Sequence, residues 1–224
     1  MSEPQLHVDD EPERRVGELL AAAARAGESI VLTGGSSVGH AYEHAASLEP
    51  DWSKAAVWWG DERCVPPDDE RSNYLLAKRT LLDHLADEPD VHRIRGELQP
   101  ADAAGAYEKA IDGAELDFLL LGLGPDAHIA SLFPGSPQLE EDERLVTSGP
   151  AGLEPFVDRV TLSVRTLSAA NEILFLLSGA AKADAAARAF AMEPSPLTPA
   201  SLVRARDGRT VAILDRAAAA KLPA

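Results

Sequence analysis

The chain has 224 residues, 45% of them hydrophobic, and 37 acids against 21 bases give it a formal net charge of −16. With no basic cluster to offset that excess, neither a nucleic-acid partner nor an anionic membrane surface is expected. Apolar stretches such as 172–181 are too short to span a bilayer, no basic-then-apolar leader follows Met1, and the single Cys64 can form no internal disulfide, so a soluble cytoplasmic protein is expected.

In chain order, residues 6–8 read as a weak first strand and 13–26 as a helix with Leu and Ala on one face, ended by Gly27. A strand over 29–33 runs into Gly34-Gly35-Ser36-Ser37, followed by a helix over 38–47, a strand over 55–59 and a loop over 60–72. The spacing of Leu75, Leu76, Leu82 and Leu85 predicts a helix over 73–85, with another over 101–111. The apolar run 118–121 marks a buried strand over 117–122; strands over 159–163 and 172–177, a helix over 180–190 and a strand over 211–214 complete the pattern. The Pro-rich stretch 194–199 reads as a surface loop. Strands separated by helices imply right-handed crossovers, hence an α/β, doubly wound, Rossmann-like fold: a mainly parallel sheet with helices on both faces. No repeat or linker divides it, so residues 1–224 are read as one domain.

Four loops that follow strands have complementary contents. In Thr33-Gly34-Gly35-Ser36-Ser37, free N–H groups, a helix dipole and two hydroxyls suit a phosphate, although such a glycine pair also serves as a plain tight turn. Neither Gly-x-Gly-x-x-Gly nor Gly-Lys-Ser/Thr spacing is present, so dinucleotide and nucleoside triphosphate cofactors are not expected. The second loop sets Asp61, Glu62 and Arg63 between Gly60 and Pro66-Pro67. The fork of Arg63 suits bidentate recognition of phosphate, a surface ion pair being the plainer alternative. Trp58 and Trp59 point to opposite sheet faces and read as core. The third loop, 122–135, carries Asp126 and His128, which fit a general-base pair with the carboxylate setting the imidazole tautomer. In the fourth, Ser178-Gly179-Ala180-Ala181-Lys182, Lys182 either reaches an anion at the strand ends or snorkels at the surface. An anionic ligand would require Arg63, Arg71, Arg159 and Lys182 to focus a local positive field against the global one.

With these residues assembled, the chain resembles the 6-phosphogluconolactonase family, which shares its fold with the glucosamine-6-phosphate deaminases. The likeness runs through Leu32-Thr33-Gly34-Gly35-Ser36, Gly60-Asp61-Glu62-Arg63-Cys64-Val65-Pro66, Ser72-Asn73-Tyr74, residues 122–135, Arg159-Val160-Thr161-Leu162, Gly179-Ala180-Ala181-Lys182-Ala183 and Pro199-Ala200-Ser201-Leu202. Deaminases of that kind typically carry Asp-Glu-Tyr where this chain has Asp61-Glu62-Arg63, and Phe-Asn-Glu-Pro-Gly where it has Leu132-Phe133-Pro134-Gly135. The glutamate that supports the deaminase histidine is missing, which favours the lactonase branch. The resemblance implies hydrolysis of 6-phospho-D-glucono-1,5-lactone to 6-phosphogluconate in the oxidative pentose phosphate pathway, with no metal and no organic cofactor. It implies His128 as general base, Asp126 as its orienting partner and a glycine-loop oxyanion site. Gly34, Gly35, Ser36, Asp61, Arg63, Arg159 and Lys182 would bind the substrate and its phosphate. The implied partner is the small-molecule sugar-phosphate lactone, and the chain would be a monomer or small homo-oligomer.

Two departures stand out. The family usually has Gly-Pro-Asp-Gly-His-Thr where this chain has Ala127 and Ile129, and a glycine at positive φ replaced by Ala127 would cost on the order of 1 kcal/mol. Arg71 stands where the family often shows an Asp before Ser-Asn-Tyr, as an extra phosphate contact or an exposed residue. His40 and His44 lie four apart on a predicted helix, but no third ligand is spaced to join them. The alternatives are a glucosamine-6-phosphate deaminase-like isomerase and a non-catalytic sugar-phosphate sensor. The first lacks its glutamate, and the second usually needs an attached DNA-binding segment.

Overall fold

The computed structural model describes residues 3–223. In chain order the regular elements are β1 (Gln5–Val8), α1 (Pro12–Ala26), β2 (Ser29–Leu32), α2 (Ser36–Leu48), β3 (Ala56–Trp59), β4 (Asp61–Arg63), α3 (Asn73–Thr80), β5 (Asp90–His92), α4 (Pro100–Ile111), β6 (Phe118–Leu121), β7 (Val146–Gly149), β8 (Arg159–Leu162), α5 (Val164–Leu167), β9 (Glu172–Leu177), α6 (Ala183–Phe190) and β10 (Arg209–Leu214). Seven strands form one sheet in the order β1-β10-β9-β6-β2-β3-β5, every pairing parallel. Its central strands are apolar throughout, with all four residues of β6 buried, as expected of strands covered on both faces.

The connectivity places the crevice. From β2 the chain steps outward to β3 and β5, then returns to β6 on the other side of β2 and proceeds outward through β9 and β10. The winding direction therefore reverses between β2 and β6, the position where open α/β sheets bind ligands beyond their carboxyl ends. The Gly-rich turn after β2 and the Asp-His loop after β6 are neighbours for that reason.

A second, antiparallel sheet in the order β4-β8-β7 corrects the expectation of a loop over 60–72. Gly60 joins the two sheets: its N–H bonds to the Leu32 carbonyl and its carbonyl accepts from Leu162, both at 2.9 Å. Chain leaving β3 thus turns at one residue and enters β4, where Asp61, Glu62 and Arg63 pair with Thr161, Val160 and Arg159. Charged residues form this strand because their side chains find buried partners. Strands β5 and β7 also escape the sequence reading, being three and four residues long with polar members. Two helices are shorter than predicted: α3 ends at Thr80, after which Leu82–His84 tightens into a 3₁₀ turn that turns both Leu81 and Leu82 inward. Residues 180–182 form a 3₁₀ turn ahead of α6.

Trp52, Trp59, Tyr42 and Phe175 are among the largest fully buried side chains, and Trp58 is 5% exposed, so both tryptophans of β3 belong to the core. Two buried tyrosines fix the strand ends that lead into the crevice. The Tyr107 hydroxyl bonds both the N–H and the carbonyl of Trp59, each at 2.9 Å, and Tyr42 does the same for Thr33 at 3.0 and 2.7 Å. Each hydroxyl satisfies a donor and an acceptor that the sheet ladder leaves behind.

Candidate active site

A cavity of about 180 Å³ opens at the reversal point. Its walls come from the β2–α2 turn (Gly34, Gly35, Ser36), from β4 and α3 (Asp61, Arg63, Asn73), from the loop after β6 (Gly122 to Ala130) and from Lys182. The structure thus brings together every predicted site residue except Asp126, which sits behind His128, and Arg159.

The loop after β6 folds on itself. Gly124 N–H bonds the His128 carbonyl at 2.9 Å and Ala127 N–H bonds the Gly124 carbonyl at 3.0 Å, closing a turn over which His128 and Asp126 lie side by side. His128 Nδ1 and Asp126 Oδ1 are 2.6 Å apart. A Cβ on residue 124 would fall 2.0 Å from Nδ1, so only glycine permits this pair. Burial pushes the Asp126 carboxyl up, but the hydrogen bond and charge of His128 outweigh it and hold the group below its ordinary value. An ionised carboxylate only accepts, so Nδ1 carries a proton and donates it to Asp126, while the ring lines the cavity. The ring rests against Phe133, with centroids 4.8 Å apart.

Two non-glycine residues of this loop have positive φ: Ala127 at 71° and Ala130 at 46°. The expectation of strain at Ala127 is therefore met. Its side chain is fully buried and its carbonyl accepts from Ala200 N–H at 3.1 Å, so the Pro199–Ser201 turn supports the loop from outside the cavity.

The opposite wall is organised around two buried carboxylates. Glu62 accepts from the N–H groups of Arg63, Asn73 and Tyr74 and from Ser72 Oγ, at 2.7 to 3.0 Å, and so caps the start of α3 with an anion. Burial pushes its carboxyl above the ordinary range although these bonds oppose the shift. Asp61 faces the other way. Its Oδ2 accepts from Ser131 Oγ at 2.6 Å, its Oδ1 from Asn73 Nδ2 at 3.2 Å, and its main-chain carbonyl from the same amide at 2.9 Å. Asn73 in turn presses on the β2–α2 turn: a Cβ at residue 34 would lie 1.9 Å from its Oδ1.

Arg63 lines the cavity and donates to the Arg71 carbonyl at 2.5 Å. Arg71 turns away and makes a bidentate pair with Asp69, at 2.8 and 2.7 Å. Arg159 pairs with Arg63 across the strands but is 4% exposed, does not reach the cavity wall and donates to the Pro155 carbonyl. Burial and then the like charge of Arg63 press its pKa down, against the pull of Asp61 and Glu62. Lys182 donates to the Leu123 carbonyl at 2.6 Å; its pKa is lowered by burial, with Asp126 pulling the other way. Asn73, Ser131 and Thr161 escape the sequence reading as site residues. Their only sequence signal is membership in the Ser72-Asn73-Tyr74, 122–135 and Arg159-to-Leu162 segments.

Among the described residues, no three His, Cys, Asp or Glu side chains converge as a metal-ligand set. His44 is wedged against Gly17 with its Nε2 buried, and no described helix is long and apolar enough to cross a membrane.

Residues 9–212 match the family model described as glucosamine-6-phosphate isomerases/6-phosphogluconolactonase. The chain is 39% identical to the 6-phosphogluconolactonase of Mycobacterium tuberculosis over 94% of its own length and 92% of that protein, and 36% identical to that of Nostoc over 87% and 84%. Among solved structures, the 6-phosphogluconolactonase of Trypanosoma brucei superposes with a TM-score of 0.85 at 28% identity, covering all of both chains. A monomeric glucosamine-6-phosphate deaminase shares the fold at a TM-score of 0.82 and 18% identity, covering 98% of this chain and 100% of that one.

Proposed function

The chain belongs to the glucosamine-6-phosphate isomerase/6-phosphogluconolactonase family, and from that premise we propose how its crevice works. The reaction is hydrolysis of 6-phospho-D-glucono-1,5-lactone to 6-phosphogluconate, a step of the oxidative pentose phosphate pathway. The observation that carries the reading is the His128–Asp126 pair presented to a cavity also walled by Arg63, Lys182 and the Gly34-Gly35-Ser36 turn.

Neutral His128 takes a proton through Nε2 from a water molecule as its oxygen attacks the lactone carbonyl. The tetrahedral intermediate collapses with cleavage of the bond to the ring oxygen, and the imidazolium returns its proton to that oxygen, which leaves as a hydroxyl of the open chain. Asp126 fixes the tautomer and stabilises the imidazolium between the two steps. Backbone N–H groups of a glycine loop other than those that hold the phosphate stabilise the oxyanion. Gly34, Gly35 and Ser36 at the start of α2, with Arg63 and Lys182, hold the phosphate and convert remote binding into positioning. Asp61 and Arg159 support that wall; Arg159 adds positive potential from behind Arg63, which is how a chain of net charge −16 presents a cationic pocket. A cytoplasmic setting follows from where such sugar phosphates are metabolised.

The test is a coupled assay on freshly prepared lactone, with spontaneous hydrolysis subtracted. Saturable acceleration above that background supports the reading; a rate equal to background overturns it.

A further inference from the structure

We propose that Ser131 is a positioning residue for His128, held by Asp61 and Thr161 so that the strained backbone between them keeps the imidazole at its working place. This rests on the lactonase reading for its kinetic consequence but not for its geometry. Ser131 is 2% exposed and three residues beyond His128. Its hydroxyl donates to Asp61 Oδ2 at 2.6 Å and its N–H to Thr161 Oγ1 at 3.3 Å. Asp61 and Thr161 are direct partners across β4 and β8, so one cross-strand pair grips Ser131 by both side chain and main chain.

Between the grip and the histidine lies Ala130 at a φ of 46°, where an L-residue is disfavoured. Such a conformation persists only where its surroundings over-determine it. On the far side the loop is closed by the Gly124–His128 bond; on the near side Leu132 N–H bonds the Ile129 carbonyl at 2.9 Å across Ala130 and Ser131, and the two bonds to Ser131 anchor that turn to β4 and β8. Releasing Ser131 lets Ala130 relax toward negative φ and swings His128 out of register with the cavity. Asp61 lines the cavity, and its two oxygens are engaged by Ser131 and Asn73, which makes this carboxylate a brace for the loop.

The test compares Ser131→Ala, Ser131→Thr and Ser131→Ala combined with Ala130→Gly. Ser131→Ala is expected to lower kcat by about 10- to 100-fold, the scale of a displaced catalytic group, with KM changed less than about threefold. Ser131→Thr keeps the hydroxyl and restores most of kcat. Adding Ala130→Gly removes the penalty on positive φ and recovers part of the loss, which a lost substrate contact would not show. Unchanged kcat in Ser131→Ala, or a loss expressed in KM, overturns the proposal. The His128 ring resonances, followed by NMR against pH without substrate, supply a readout independent of activity. A titration curve or chemical shift altered by Ser131→Ala supports the coupling even if the wild-type chain lacks lactonase activity, and resonances identical to wild type count against it. Should Ser131→Ala fail to fold, Thr161→Val, which removes the oxygen that accepts from Ser131 N–H, is measured by the same two readouts with the same expectations.

Discussion

Asp126 meets His128 twice through one oxygen: Oδ1 accepts the ring Nδ1–H at 2.6 Å and the main-chain N–H at 3.1 Å. An amide oxygen at that place can accept both bonds, so Asp126→Asn removes charge while leaving geometry. The difference between a charge-assisted and a neutral hydrogen bond is about 1–1.5 kcal/mol, so kcat is expected to fall about tenfold. His128→Ala removes the base itself, and turnover is expected to fall by about 10²–10⁴-fold with little change in KM. Near-normal turnover in His128→Ala would sink the general-base role.

The same pair gives stability a pH signature. Because the folded Asp126 carboxyl titrates below its ordinary value, the folded state binds fewer protons than the unfolded one between the two values. Its contribution is complete above the ordinary carboxylate range near about 4 and drains away as pH falls through the lower folded value. Denaturant melts of wild type and Asp126→Asn from neutral to strongly acid pH should show a gap that closes over that window. A gap independent of pH would contradict the assignment.

Arg63 and Lys182 reach the cavity from opposite walls, each with one hydrogen bond to a main-chain carbonyl. Loss of a charged hydrogen bond to phosphate is worth about 1.5–3 kcal/mol. Arg63→Ala and Lys182→Met are therefore expected to raise KM by about 10- to 100-fold with kcat changed far less. Inorganic phosphate should inhibit the wild-type enzyme competitively and these variants more weakly. An unchanged KM in Arg63→Ala excludes it from the phosphate site.

Ala127 presents a balance of three terms. Positive φ costs an L-residue about 1–2 kcal/mol. Glycine would relieve that strain but forfeit about 0.8 kcal/mol from a buried methyl and about 0.4–1 kcal/mol from a more flexible unfolded chain. The terms nearly cancel, so Ala127→Gly should change stability by less than about 1 kcal/mol. Ala127→Val places a branched side chain at the same φ in a fully buried position and should cost about 3 kcal/mol or more. Thermal melts of the two variants that move together would show that backbone strain is not what governs the site.

What was legible in the sequence followed from periodicity and punctuation. Apolar runs such as 118–121 located the parallel strands, and glycines after them located the loops of the crevice. The antiparallel sheet was not legible, because Asp61, Glu62 and Arg63 carry none of the alternation that marks a strand, and their burial is made tolerable by partners 10 to 70 residues away. Arg159 read as a phosphate ligand because its type fits, while its depth depends on a cross-strand pairing that spacing cannot show. Ser131 was invisible for a related reason: a serine beside a catalytic loop is unremarkable until the carboxylate it binds is known to sit across from it.

The winding reversal between β2 and β6 also separates two kinds of change. The Gly-rich turn follows one strand and the Asp126–His128 loop follows the other, so the two meet at the crevice without sharing a covalent segment. A deaminase of 18% identity keeping the same backbone at a TM-score of 0.82 is the outcome such a division permits. The crevice is thus a socket built from two independent pieces, and a change in the loop after β6 leaves the backbone of the turn after β2 in place.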